Sequence, residues 1–287
     1  MYYNDETYLF LNGEFVKAKD ATIDLYSQTM HYGAGVFEGI RSYQTESGVK
    51  IFKSKEHYDR LISSAEKMHI KVAYSSEDFS KITYELLRKN NLLDAYIRPL
   101  IYLGANMSLT PTAEVHVMIC AWGWGKYLGS NLLRLGLSEY QRPNPKSCHV
   151  EAKVTGHYIN SILATTEAKQ KGFDEALLLD AQGNVAEGPG ANFFMEKGGV
   201  LYTPSLGNIL PGITRATVIE IAQSMGIRLE ECLFGMDKVY TADSAFYTGT
   251  AAEVIGIKSI NDYVFPLSWE NSLGAKIAMT YSALVRK

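Results

Sequence analysis

Short apolar runs separated by polar turns fill most of the first half of the chain. Tyr8-Leu-Phe-Leu and Glu14-Phe-Val-Lys flank Asn12-Gly13, and two apolar runs around Asn-Gly predict a β-hairpin with a type I′ turn. Gly39-Ile-Arg-Ser-Tyr and Val49-Lys-Ile-Phe predict a second strand pair across Glu46-Ser-Gly. From Lys55 to His69 the period lengthens. Tyr58, Leu61, Ile62, Ala65 and Met68 recur at helical spacing. A further helix is expected with Ser76 as its cap, acids in its first turn and Phe79, Ile82 and Leu86 as its inner stripe. Strands follow at 95–103 and 115–122. The second half reads as a strand at 133–137, a helix from about Tyr158 to Lys171 stopped by Gly172, and strands at 176–179, 192–196 and 200–202. A helix at 214–225, a strand at 245–248 and an amphipathic helix from about Asn271 complete the pattern.

Strand and helix do not alternate regularly, so the expected fold class is α+β and not a doubly wound sheet. At 287 residues the chain is long enough for about two domains. The glycine-punctuated stretch Trp122-Gly-Trp-Gly-Lys-Tyr-Leu-Gly-Ser lacks periodicity and marks the seam. The expected division is a small N-terminal domain at 1–121, a connection at 122–132 and a larger C-terminal domain at 133–287.

Charge and cysteine content narrow the partners. A net charge of -3 gives no basic excess to hold a nucleic-acid backbone. Cys120, Cys148 and Cys232 are widely spaced and form no CxxC, which excludes a cysteine zinc site and suits a reducing compartment. No run reaches the roughly 18 apolar residues of a membrane span, and Asn4-Asp-Glu stands where a signal peptide carries base. The expectation is a cytoplasmic protein that handles small molecules and binds neither nucleic acid nor membrane.

Five places could carry chemistry. Pro211-Gly-Ile-Thr-Arg puts backbone N–H groups and a positive dipole end where a phosphate could bind, or it is simply a helix start shaped by proline. Thr248-Gly-Thr could add donors, or be a turn. Lys153 lies among small and apolar residues, as a desolvated nucleophile or as a lysine snorkelling from a strand end. Glu187, in a glycine-rich bend, could meet a cationic ring nitrogen or lie on a surface turn. In Tyr96-Ile-Arg-Pro, Tyr96, Arg98, Leu100 and Tyr102 share one strand face, where Arg98 could take a carboxylate. The other reading of Arg98 is exposure on an edge strand, which Pro99 favours.

Seven segments in one order resemble a known family. They are His31-Tyr-Gly-Ala-Gly-Val-Phe-Glu-Gly-Ile-Arg, His57-Tyr-Asp-Arg-Leu, Tyr96-Ile-Arg-Pro, Lys153 with Tyr158, Glu187-Gly-Pro-Gly-Ala-Asn, Leu210-Pro-Gly-Ile-Thr-Arg and Gly249-Thr-Ala-Ala-Glu. Together they resemble the fold-type IV pyridoxal-phosphate enzymes with the D-amino-acid aminotransferase-like fold, and among these the branched-chain amino-acid aminotransferases. The resemblance implies pyridoxal 5′-phosphate as cofactor, with Lys153 holding its aldehyde as a Schiff base and moving the substrate's Cα proton. It implies Glu187 at the pyridine nitrogen and Tyr158 at O3′. Arg60, the N–H groups of Ile213 and Thr214 behind Gly212, and Thr250 behind Gly249 would cup the phosphate. Tyr96 and the Thr250-Ala251 amides would take the substrate α-carboxylate, and Arg98 the distal carboxylate of glutamate. Tyr32, Phe37, Trp124, Tyr127 and Tyr158 would wall the pocket.

The resemblance further implies transamination between branched-chain L-amino acids and 2-oxoglutarate, at a site between the two domains of a homodimer or larger homo-oligomer. His157 has no role in this scheme, and the loop at 104–112 is short where relatives reach towards the neighbouring subunit. Rivals on the same fold are D-amino-acid and (R)-amine transaminases and 4-amino-4-deoxychorismate lyase. Outside catalysis the rival is a phosphate- or nucleotide-binding protein, which has no use for Lys153, Glu187 and Tyr158 as a set.

Overall fold

The computed structural model describes residues 2–124 and 131–287. The chain divides into two compact units. The first comprises Met1–Gly125, Ala152–His157 and Arg286–Lys287, and the second Lys126–Glu151 and Tyr158–Val285.

The first unit contains β1 (Tyr8–Leu11), β2 (Glu14–Lys17), α1 (Gln28–Tyr32), β3 (Val36–Phe37), β4 (Ile40–Thr45), β5 (Gly48–Ile51), α2 (Ser54–Lys67), α3 (Ser76–Lys89), β6 (Ala95–Leu103) and β7 (Val115–Gly123). Its antiparallel sheet runs β2-β1-β7-β6-β4-β5, with β3 also on β6. The hairpin forms as expected, with Asn12 and Gly13 at φ 51° and 100°. Helices α2 and α3 supply Tyr58, Leu61, Phe79 and Leu86 to a core shared with Phe10, Ile97, Ile101 and Ile119 of the sheet. The cap of α3 is Ser75, one residue before the expected Ser76. Ser75 Oγ accepts from Asp78 N at 3.1 Å, and Asp78 Oδ2 accepts from Ser75 N at 3.0 Å, a reciprocal capping box.

Pro99 does not mark an edge. It lies inside β6, between β7 and the β3/β4 side. Phe37 pairs with Leu100 and Ile40 with Ile97, so Glu38 stands opposite Pro99. Glu38 N donates to Pro99 O at 3.0 Å, but proline has no N–H to return the second bond, and this gap separates β3 from β4. Of the two readings of Arg98, exposure on an edge strand is excluded, because the residue is half-buried on an interior strand.

The second unit contains β8 (Leu133–Leu137), α4 (Tyr158–Gln170), β9 (Glu175–Leu177), β10 (Asn192–Lys197), β11 (Val200–Thr203), α5 (Ile213–Ser224), β12 (Leu229–Glu231), α6 (Met236–Val239), β13 (Ser244–Gly249), β14 (Glu253–Ile260), β15 (Tyr263–Val264) and α7 (Leu273–Leu284). Its mixed sheet runs β12-β11-β10-β13-β14-β8-β9, with β15 on β14. Phe193, Met195 and Tyr247 join one core with Leu135 and Ile257. Phe194 stacks on Phe246 at 5.0 Å, and both are fully buried, so β10 and β13 are apolar on both faces. This is the α+β class expected from the pattern.

Two boundaries differ from expectation. Strand β7 continues through Trp122 and Gly123 into the expected connection, of which residues 125–130 lie outside the described residues. The segment carrying Lys153 clusters with the first unit, although the expected C-terminal domain at 133–287 includes it. Backbone pairing to β3 holds it there.

Candidate functional site

Lys153 is fixed by its neighbours along the backbone. Phe37 N donates to Lys153 O at 3.0 Å, Val154 bridges Val36, and Thr155 N and Gly156 N donate to Gly35 O at 2.8 Å and Gly33 O at 3.0 Å. Ser64 Oγ of α2 accepts from Lys153 N at 3.1 Å. The approach at Gly33 requires glycine: its φ is +68°, and a Cβ there would lie 2.7 Å from Gly156 Cα. A short turn, Thr155–His157, then leads the chain towards α4. His157 sits half-buried in that turn.

The half-buried Lys153 side chain places Nζ 5.0 Å from the centroid of the Phe37 ring. Arg98 Cζ lies 4.7 Å from the same centroid. Strand alternation puts Arg98 beside Tyr96, whose hydroxyl accepts from Arg98 Nη2 at 3.1 Å. Trp124 meets the Tyr96 ring edge-on at 4.6 Å. Phe37, Tyr96, Arg98, Trp124 and Lys153 thus gather as one aromatic and cationic group within the first unit. Tyr32 is placed differently: it is exposed, and its hydroxyl donates to Met107 O at 3.3 Å. Tyr127 lies outside the described residues.

Arg60 belongs to a buried charge cluster on the helix-facing side of the sheet. Its Nε and Nη2 donate to Glu38 Oε1 at 2.6 Å and Oε2 at 3.0 Å. His57, one turn earlier on α2, lies with Nδ1 2.8 Å from Glu38 Oε2. Arg60 and His57 hold the Glu38 carboxyl far below the usual carboxylate range even though its burial opposes ionisation. Burial lowers the pKa of His57, which is therefore neutral at pH 7 and donates its Nδ1–H to Glu38.

In the second unit Glu187 is buried, not on a surface turn. Its Oε1 accepts from Leu210 N at 3.1 Å and its Oε2 from Asn192 Nδ2 at 2.9 Å. Arg142 Nε lies 2.9 Å from Oε1, an ion pair without hydrogen-bond alignment, and both side chains are under a tenth exposed. The bend closes as Gly188 N donates to Ala191 O at 2.8 Å, and Ser161 Oγ of α4 ties it by donating to Pro189 O at 2.7 Å. Tyr158 opens that same helix.

Asn192 Nδ2 also donates to Leu210 O at 2.9 Å, which anchors the turn entering α5. A Cβ at Gly212 would lie 1.9 Å from Asn192 Oδ1, so the turn excludes any side chain there. Gly212 caps α5 with no side-chain hydrogen bond, leaving the N–H groups of Ile213 and Thr214 at a bare positive helix end. Asn192 pairs with Thr248 across β10 and β13, which brings Gly249, Thr250 and Ala251 beside the Glu187 bend. Thr248 Oγ1 is fully buried and has no hydrogen-bond partner among the described residues. An uncapped helix start, an orphaned buried hydroxyl and a buried carboxylate fit an anionic cofactor with a protonated ring nitrogen. Among the described residues no group of histidine, cysteine and carboxylate side chains could hold a metal.

Three residues of this neighbourhood had no role assigned from sequence. Arg142 stands in an Arg-Pro-Asn-Pro loop whose pattern gives no sign of its partner, far along the chain. Arg41 is buried, and its Nη2 donates to Trp124 O at 2.9 Å. Glu38 did carry a signal. Alternation places it on the face of Val36 and Ile40, both fully buried, and a charge on that face demands a partner.

The family model for amino-transferase class IV matches residues 35–260. The branched-chain-amino-acid aminotransferase of Pseudomonas aeruginosa is 41% identical over 283 residues, covering 96% of this chain and 92% of that one. The crystal structure of a branched-chain aminotransferase from the thermophilic archaeon Thermoproteus uzoniensis, solved with norvaline, superposes with a TM-score of 0.93 at 40% identity, covering 97% of this chain and 94% of that one. The T.th. branched-chain amino acid aminotransferase, complexed with N-(5′-phosphopyridoxyl)-L-glutamate, gives a TM-score of 0.93 at 36% identity, covering 98% and 94%.

Proposed function

The chain belongs to the class IV aminotransferase family, and from that membership we propose that it transfers the amino group of branched-chain L-amino acids to 2-oxoglutarate with pyridoxal 5′-phosphate as cofactor. The observation that carries the reading is the Phe37 ring, with Lys153 Nζ at 5.0 Å and Arg98 Cζ at 4.7 Å from its centroid. It sets an amine able to attack a carbonyl and a guanidinium able to grip a carboxylate around one apolar surface.

When bound, pyridoxal phosphate supplies an aldehyde for an amine to condense with and a protonated ring that withdraws electrons from the substrate's α-carbon. In the proposal Lys153 Nζ holds the aldehyde and, once displaced, carries the Cα proton. Glu187 keeps the ring nitrogen protonated, with Arg142 and Asn192 maintaining its charge and aim. Tyr158 donates to the ring oxygen O3′. Arg60, the amides of Ile213 and Thr214, and Thr250 take the phosphate, Gly212 and Gly249 letting the backbone come close. Tyr96 and the Thr250-Ala251 amides orient the α-carboxylate. Phe37, Trp124 and Tyr158 line the aliphatic pocket, and Arg98 pairs with glutamate's distal carboxylate.

A homodimer is part of the proposal. Exposed Ile23, Leu25, Tyr26, Met30, Met107 and Leu109 lie on two segments joined by the Ser27–Ala105 bridge and by Asn106 N donating to Tyr26 O at 3.1 Å. Gln28 Nε2 adds bonds to Ser108 O at 2.8 Å and Thr110 O at 3.0 Å. So large an apolar group suits a second copy of the chain. A cytoplasmic location belongs to the same reading; no described helix is long and apolar enough to cross a membrane.

The test is purification followed by assay. The protein is expected to be yellow, to fix that colour covalently with borohydride, and to deaminate L-leucine and L-isoleucine with 2-oxoglutarate. Turnover of D-alanine or an (R)-amine without L-leucine would overturn the branched-chain reading.

A further inference from the structure

We propose that Glu38 and His57 are positioning residues that orient the Arg60 guanidinium towards the cofactor phosphate. The proposal rests on the cofactor reading above and adds to it a device that nothing in the phosphate cup itself requires.

The geometry is that of a clamp. Glu38 is fully buried and uses both carboxylate oxygens on Arg60, through Nε at 2.6 Å and Nη2 at 3.0 Å. That fork takes two of the five guanidinium N–H donors and fixes the plane of the group, while the Arg60 side chain keeps 13% exposure. His57 Nδ1 at 2.8 Å and Gly39 N at 3.2 Å bind Oε2, so the carboxylate cannot swing away with the arginine. His57 and Arg60 lie three residues apart on α2 and so face the same way. Glu38 reaches them because alternation puts it on the face of Val36 and Ile40, which share a core with Tyr58 and Leu61 of α2.

A free surface arginine would lose rotamer entropy on gripping phosphate; here the neighbours restrict it before any ligand arrives. A clamp that served stability alone would instead leave cofactor affinity indifferent to the phosphate. This difference separates the two roles.

The experiment titrates full-length apoprotein with pyridoxal 5′-phosphate and, separately, with pyridoxal, following the absorbance of the bound aldehyde. Glu38→Gln is expected to raise the Kd for pyridoxal 5′-phosphate by about tenfold or more, the scale of a lost charged hydrogen bond, and to leave that for pyridoxal within about twofold. His57→Leu should weaken pyridoxal 5′-phosphate in the same selective way. His57→Asn, whose amide can donate from the place of Nδ1, should restore it. Equal losses for both ligands, or no loss for either, would overturn the proposal, as would failure of His57→Asn to improve on His57→Leu. If Glu38→Gln does not fold, the His57 pair decides, because it leaves the Glu38–Arg60 fork in place. Wild-type protein that binds neither aldehyde refutes the cofactor reading itself, and the clamp with it.

Discussion

Phe37 donates its backbone N–H to the Lys153 carbonyl at 3.0 Å and offers its ring to the Lys153 ammonium at 5.0 Å. One residue thereby sets both the main chain and the side-chain surroundings of the candidate nucleophile. Lys153→Ala keeps the backbone bond, so it should abolish transamination and borohydride fixation while circular dichroism and melting temperature stay close to wild type. Persistent turnover would remove Lys153 from the reaction.

The same segment depends on the contact between Gly33 and Gly156. Gly33→Ala forces a Cβ to within 2.7 Å of Gly156 Cα at a backbone φ of +68°. The expected cost is about 1–3 kcal/mol in denaturant unfolding, the usual scale for strain at such a position. Unchanged stability would mean the segment is held loosely.

Arg142 is the partner on which the Glu187 charge relies. Arg142→Met leaves a buried carboxylate uncompensated and should lower stability by about 3–5 kcal/mol. Pairing Arg142→Met with Glu187→Gln should recover much of that loss, since both charges then go. A double mutant as unstable as the sum of its parts would show that the two residues act independently.

Arg98 stands over Phe37 with its Nη2 on the Tyr96 hydroxyl at 3.1 Å. Arg98→Ala should raise KM for glutamate by about tenfold or more, and KM for leucine much less, because only glutamate carries a second carboxylate. Equal rises would assign Arg98 to the α-carboxylate or to packing.

His57 is buried, and its surroundings include Glu38 as well as the Arg60 and Lys153 charges. Desolvation dominates and lowers its pKa in the folded state, so below about pH 6.5 the unfolded chain binds a proton that the folded chain refuses. Stability should therefore fall as pH drops from about 6.5 towards the lowered value. His57→Asn should flatten that part of the curve, which thermal melts across the range would reveal. A slope identical to wild type would place the proton elsewhere.

The elements legible in the sequence were those whose signal is local. Asn12-Gly13 and the period of α2 and α3 need only near neighbours to be read, and α5 announces itself through Pro211-Gly212 and Gly226. Strand β14 was missed, although Val254, Ile255, Ile257 and Ile260 are apolar, because its start overlaps the Gly-Thr-Ala-Ala-Glu segment read as a turn. Pro99 misled for a physical reason: a missing donor is tolerated within a sheet when the partner strand is interrupted opposite it. The partnership of Arg142 with Glu187 joins residues far apart in the chain, and no periodicity encodes such a pair. The residues of the Phe37 group were legible only as motifs; their distances were not.

The first unit is also discontinuous in the chain, and that bears on how it is made. A nascent chain that has reached residue 124 carries every strand of that sheet, yet lacks the 152–157 segment that covers the outer side of β3. Until that segment is synthesised, Val36 and Phe37 present an unpaired apolar edge, the kind of surface that recruits other chains. A further contribution comes later still, when Arg286 reaches Asp94 at 3.1 Å. Cutting the gene at the apparent seam should thus yield a sticky fragment rather than an independent domain, and the first unit is not whole until residue 286 has been made.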